Sequence, residues 1–180
     1  MDKEFRVPAY VVTVQKTVPK QDVTKVFVHS RVTAIEADAF RDWISLEEVV
    51  FEAESRLERI GDHAFVGTAL KEFSAPSSLK TIGAGAFADC KSLKQVRLNE
   101  GLEVIGGEGD GAFQGSGLEA MRLPSNLKRM GQNTFAGCAN LKKLEMWAGY
   151  GDMKITVSTD NSALAIDTEC GVKEESTDSI

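Results

Sequence analysis

The chain is poor in the residue types from which most chemistry is built. It has two histidines, three cysteines, two tryptophans, two tyrosines and four prolines in 180 residues. His29 and His63 are accompanied by no Ser elbow, no His-x-x-x-His and no paired acid/base signature. A small enzyme is therefore disfavoured, and no cofactor is expected. The cysteines are too few and too scattered for a disulfide framework or a zinc site. No run of about eighteen apolar residues is present, so no membrane span is expected. The opening MDKEFRVPAYVV lacks a basic segment followed by an apolar one, so it does not read as a secretory signal. An intracellular protein is slightly favoured on that ground, unless the chain is a trimmed piece of a longer one. Positive charge is also short: the net charge is −6. Between Gly149 and Ile180 seven acids face two lysines, which is −5, and leaves about −1 for the rest. A nucleic-acid partner is disfavoured, because phosphate binding needs a basic surface.

What the chain does have is repetition, centred on Ile82–Leu98, IGAGAFADCKSLKQVRL. Ala-Phe recurs at Ala39-Phe40, Ala64-Phe65, Ala86-Phe87 and Ala112-Phe113, and as Thr134-Phe135. The Phe intervals are 25, 22, 26 and 22. Six- and five-residue steps alternate between each Phe and the next Leu. Two small insertions account for the rest, near Glu52–Arg56 and within Gly106–Gly111. After each Phe comes L-x-x-[VFLM]-x-[LFMA], as in Leu46/Val49/Phe51, Leu93/Val96/Leu98, Leu118/Met121/Leu123 and Leu141/Leu144/Met146. The last two apolar sites are two apart and so face one side of a short strand. One such unit cannot bury its apolar face alone. Several stacked units make a continuous core, which is the logic of a solenoid.

The Ile-Gly…Ala-Phe pair, the small residue three after the Phe and the Leu-x-x-Leu-x-Leu strand together resemble the BspA-like leucine-rich repeats of bacterial surface proteins and many protist proteins. The resemblance covers about Val23 to Met146. It implies a single right-handed, curved leucine-rich repeat solenoid, with one short strand plus a turn or short helix per repeat, and a non-catalytic role in protein–protein interaction. A structural or spacer segment of a longer array or surface adhesin is the alternative. The commoner leucine-rich repeats carry an Asn or Cys ladder after the strand. Here Arg56, Ser77, Glu100 and Ser125 occupy those turns and form none.

Residues 1–22 are expected to cap the amino-terminal end, with Tyr10–Val14 as a strand. The solenoid is assigned to 23–146, a carboxy-terminal cap to 147–170 and a disordered acidic tail to 171–180. A monomer is expected. Cys90 and Cys138 share the offset of Trp43, Thr68 and Ser116. They lie two repeats apart, near 10 Å at ~4.8 Å per strand, beyond the roughly 7 Å limit for a disulfide. They and Cys170 are expected to be free thiols. GGEGDG at 106–111 carries acids where a phosphate cradle needs Lys and Ser/Thr, and reads as a flexible insertion.

The best binding candidates are the outward strand positions on the concave sheet face: Glu48 and Val50, Glu72 and Ser74, Gln95 and Arg97, Ala120 and Arg122, Lys143 and Glu145. The column beside them is Glu47, Lys71, Lys94, Glu119, Lys142. A protein partner is expected there. Arg97 and Arg122 are equivalent positions in adjacent units, two like charges ~4.8 Å apart, a row suited to an acidic patch on a partner.

Overall fold

The structure is a computed structural model that describes residues 3–7, 21–107 and 109–145. Its strands are β1 (Lys3–Val7), β2 (Val23–Val28), β3 (Ala34–Ile35), β4 (Glu48–Phe51), β5 (Arg59–Ile60), β6 (Glu72–Ser74), β7 (Thr81–Ile82), β8 (Gln95–Arg97), β9 (Val104–Ile105), β10 (Ala120–Arg122), β11 (Arg129–Met130) and β12 (Lys143–Glu145). No helix occurs among the described residues, so turns fill the rest of each repeat. The chain winds into a parallel β-solenoid of about five turns. The longer strands stack on one side in the orders β1-β2-β4 and β6-β8-β10-β12. The two-residue strands stack on another in the order β3-β5-β7-β9-β11. All pairings are parallel. Pairing between coils follows from the repeat length: a strand that returns after one turn meets its predecessor in the same direction.

The core runs the length of the coil axis. Val23, Val26, Val28, Val32, Ile35 and Phe40 of the divergent first unit are all buried, as are most of the Leu, Ile and Phe of the later units, with Phe51, Leu98 and Leu144 half-buried against them. The five repeat phenylalanines form one stack: centroid separations are 5.1, 5.2, 5.4 and 5.9 Å from Phe40 through Phe65, Phe87 and Phe113 to Phe135, with rings within 14° of parallel. The spacing is close to the coil-to-coil distance of a sheet, so each ring lies on its neighbour as the strands do. Trp43 takes the offset that later units fill with Thr, Cys or Ser. There Phe5 of β1 lies beside it, ring centre to ring centre 5.9 Å. The expected strand at Tyr10–Val14, the inward Met146 and the 147–170 and 171–180 segments lie outside the described residues; the amino-terminal strand that is described is β1, paired with β2.

The Phe-bearing turns are joined by their own backbone ladder. In the first coil the N–H groups of Asp38, Phe40 and Asp42 donate to Asp62, Ala64 and Val66 of the second, and those of His63, Phe65 and Gly67 donate to Ala84, Ala86 and Ala88 of the third. The geometry needs a left-handed residue two after each Phe, and the sequence supplies Asp42, Gly67, Asp89, Gly115 and Gly137, with φ between 56° and 69°. Gly and Asp are the types that visit this region at low cost.

Polar side chains close the coils elsewhere. The turns after the long strands are tied by Ser78, whose hydroxyl donates to Ser55 and Leu57 carbonyls, and by Asn99, whose amide donates to Pro76 and Leu79. Asn126 does the same to Glu100. Ser78 and Asn126 share one offset and Asn99 sits two residues before it, so the work of an Asn ladder is done without a regular one. Cys90 Sγ donates to the Phe65 carbonyl at 3.1 Å and lies 3.3 Å from Thr68 Oγ1; Cys138 repeats this with Phe113 and Ser116. Both cysteines are free. Burial pushes the Cys90 thiol up to about 11, and pushes Cys138 in the same direction. The reactive thiolate is therefore scarce at neutral pH. Alkylation of the folded protein at pH 8, resolved by site with mass spectrometry, should label Cys90 roughly 100-fold more slowly than a free thiol. It should speed up as pH rises toward 11, with Cys138 labelled faster than Cys90. Rapid labelling of Cys90 at pH 8 would show that the coil interior opens readily.

Candidate interaction surface

The outward positions of the long strands form one continuous polar face. Register places Lys25, Glu48 and then, along the next sheet, Glu72, Gln95, Ala120 and Lys143 in one row. Phe27, Val50, Ser74, Arg97, Arg122 and Glu145 fall in the row beside it. Each charged member except the half-buried Lys25 is exposed, while the residue between the two rows on β6, β8 and β10 (Phe73, Val96, Met121) is buried. This is the period-two alternation of a sheet with one wet face. The strand β4 departs from it: Val49, Val50 and Phe51 are all half-buried. Val50 stands against Phe27 in the β2–β4 pairing, and Lys25 Nζ lies 5.2 Å from the Phe27 ring centre, a cation–π contact. That end of the face carries more apolar surface than alternation alone implies.

The ten expected binding positions fall into three shallow depressions, Ala120 in the first with its neighbours. Gln95, Arg97, Arg122, Lys143 and Glu145 line one of about 410 Å³, together with Glu100 and Pro124. Glu48 and Glu72 line a second with Glu4 and Lys25. Val50 and Ser74 line a third with Pro76. Across these the charges are paired coil to coil: Lys25 with Glu48 at 2.9 Å, Lys71 with Glu47 at 2.6 Å, Lys94 with Glu119 at 3.2 Å, and Lys143 with Glu145 within its own strand. The Arg97–Arg122 repulsion is relieved by acceptors on neighbouring coils and, for Arg97, on its own strand. Arg97 reaches Glu72 at 3.4 Å and Gln95 Oε1 at 2.9 Å, and Arg122 reaches Glu100 at 3.4 Å.

By sequence Glu100 is only a turn residue; its place at the rim is a tertiary outcome. Its Oε2 accepts from Ser125 N and Ser125 Oγ, both at 2.8 Å, which with Arg122 beyond them holds its carboxyl below the usual range. Glu145 is held low by Lys143 and then Arg122. On the opposite side, His63 Nε2 lies 3.0 Å from Asp110 Oδ2, and the Asp110 carbonyl accepts from Gly85 N at 3.0 Å. The end of the glycine-rich insertion is thus pinned to the two preceding coils, although nothing surrounds a side chain that would grow from Gly109. Among the described residues no cluster of three or more His, Cys, Asp or Glu is arranged to hold a metal, and no helix is long and apolar enough to cross a membrane.

Residues 19–142 match a family described as BspA type leucine rich repeat region, in six copies. The chain belongs to the BspA-type leucine-rich repeat family. Solved structures agree. The chain is 25% identical to the pneumococcal vaccine antigen PcpA, with a TM-score of 0.72, covering 82% of this chain and 41% of that one. It is 27% identical to a leucine-rich repeat protein of Bacteroides ovatus, with a TM-score of 0.56, covering 79% and 45%. A leucine rich cell surface protein of Faecalibacterium prausnitzii, 21% identical with a TM-score of 0.54 over 83% and 49%, shares the fold. The chain spans less than half the length of these three. A search of curated proteins gives no match.

Proposed function

We propose that this BspA-type repeat chain is a non-catalytic protein–protein interaction module, and that the partner docks on the long-strand face. The observation that carries this reading is the contrast between core and face. Inside, the coils repeat the same Leu, Ile and Phe; outside, the row positions change from coil to coil while staying exposed on a rigid frame. A surface of fixed shape and variable chemistry loses little conformational entropy on binding, which favours recognition. The test is position-dependent photocrosslinking. Benzoylphenylalanine placed at Gln95 or Ala120, and separately at Lys91 or Gln114 on the turn side, should capture the same partner from the native source only from the sheet positions. Capture from the turn side alone would overturn the docking face.

A second reading is favoured by one observation: the matched region covers less than half of each of the three structural relatives compared above, and one of them is named as a cell surface protein. The chain then acts as one slice of a longer surface-displayed array. An antibody against the repeats that detects, in the native source, a product much larger than 19.5 kDa would support it.

A further inference from the structure

We infer that the long-strand face takes an extended protein segment of split charge, with its acidic residues over β8, β10 and β12 and its basic residues over β2, β4 and β6. The inference rests on the docking face proposed above and gives its occupant a chemistry.

The two ends of the face differ in sign. In the depression over β8–β12 three cations, Arg97, Arg122 and Lys143, meet two anions, Glu100 and Glu145, a balance of +1. In the depression over β2–β6 four acids, Glu4, Glu47, Glu48 and Glu72, meet Lys25 and Lys71, a balance of −2. A uniform polyanion, nucleic acid included, would gain at one end and be repelled at the other. A segment with one acidic and one basic half satisfies both, and charge complementarity of this kind sets register and encounter rate.

The arginines have donors to spare. A guanidinium carries five N–H groups and prefers to meet a carboxylate two at a time. Arg97 uses one nitrogen on Glu72 and one on Gln95, and Arg122 places one nitrogen near Glu100, with the carboxylate contacts at 3.4 Å. Their side chains are 59% and 60% exposed. Glu100 is anchored by both Ser125 hydrogen bonds, so it cannot turn to engage Arg122 through a full fork without losing them. An incoming carboxylate can. From β2 to β12 there are five strand-to-strand steps of ~4.8 Å, so the face spans about 24 Å, the reach of seven or eight extended residues.

The probes are three fluorescein-labelled octapeptides: four Glu followed by four Lys, the same composition alternating, and eight Glu. Anisotropy titrations are run at about 50 and 500 mM salt, where screening differs severalfold. The block peptide should bind at least fivefold more tightly than either other peptide at low salt, and the preference should vanish at high salt. It should also vanish in Arg97→Gln/Arg122→Gln, whose thermal melt should match the parent. Should that variant unfold, Glu48→Gln/Glu72→Gln tests the opposite half and should abolish the same preference. Equal affinity for block and alternating peptides, both lost in the arginine variant, would overturn the split-charge inference while leaving the docking face standing. A preference that survives both double variants, or no binding by any peptide, overturns the inference outright. Turn-side capture in the photocrosslinking experiment is the separate result that removes the docking face.

Discussion

Phe87→Ala should destabilise the protein by about 3–5 kcal/mol, the range of large aromatic truncations in cores. Phe87 is fully buried at the centre of the stack, 5.2 Å from Phe65 and 5.4 Å from Phe113, with Phe73 tilted against it at 4.7 Å. The space left by the ring cannot close easily. The coil backbones on either side are held by Phe65 N to Ala86 O at 2.8 Å and Phe87 N to Ala112 O at 2.7 Å, so collapse would break the turn ladder. Against a total stability of about 5–15 kcal/mol, such a loss leaves little margin. Phe135→Ala should cost less, because that ring stacks on Phe113 alone among the described rings, and at 5.9 Å. Equilibrium denaturation measures both. A loss below about 1 kcal/mol at Phe87 would be incompatible with an unyielding stack.

Gly61→Ala should be nearly as damaging for the opposite reason. A Cβ at Gly61 would stand 2.5 Å from Ala37 N and 2.7 Å from the Glu36 carbonyl carbon, both backbone atoms. The coils cannot separate to admit it, since Gly61 N donates to Ile35 O at 2.7 Å and Asp38 N to Asp62 O at 2.9 Å. Overpacking against immobile backbone typically costs about 1–3 kcal/mol, and we expect the upper end here. Gly83 and Gly131 meet the preceding coil in the same way, at 2.7 Å from Asp62 N and 2.7 Å from Gly107 O. In the first described coil Glu36 sits at the equivalent site and pairs with Arg59 at 3.0 Å. Glu36→Ala should therefore change stability by no more than about 0.5 kcal/mol, as exposed ion pairs do. Thermal or chemical melts of the two variants side by side decide it. Equal and small effects would mean that the Ile-Gly pair is not set by close approach between coils.

These two positions also mark how far the sequence could be read. The Phe spacing and the two insertions identified the coil and every inward Leu, Ile and Val from Val23 to Leu144, because burial selects residue type and periodicity displays it. The Ile-Gly pair was visible as a motif, but its reason lies in a distance between two backbones about 25 residues apart. Likewise Asp42, Gly67, Asp89, Gly115 and Gly137 form a column of Gly and Asp, a signal for left-handed backbone that offset counting could have found.

The exposed face divides in the same way. Its rows of Glu48, Glu72, Gln95, Arg97, Arg122, Lys143 and Glu145 follow from strand alternation, which is a local property of the chain. Pairing within those rows does not. Glu100 reaches Arg122 only because Ser125, one coil on, fixes its carboxylate, and Asp110 reaches His63 only because the insertion folds back across two coils. Repeating apolar residues are recorded in sequence because each coil needs the same ones. Contacts between side chains on different coils depend on where long, charged groups end, several bonds from a backbone whose position only the stacked solenoid fixes.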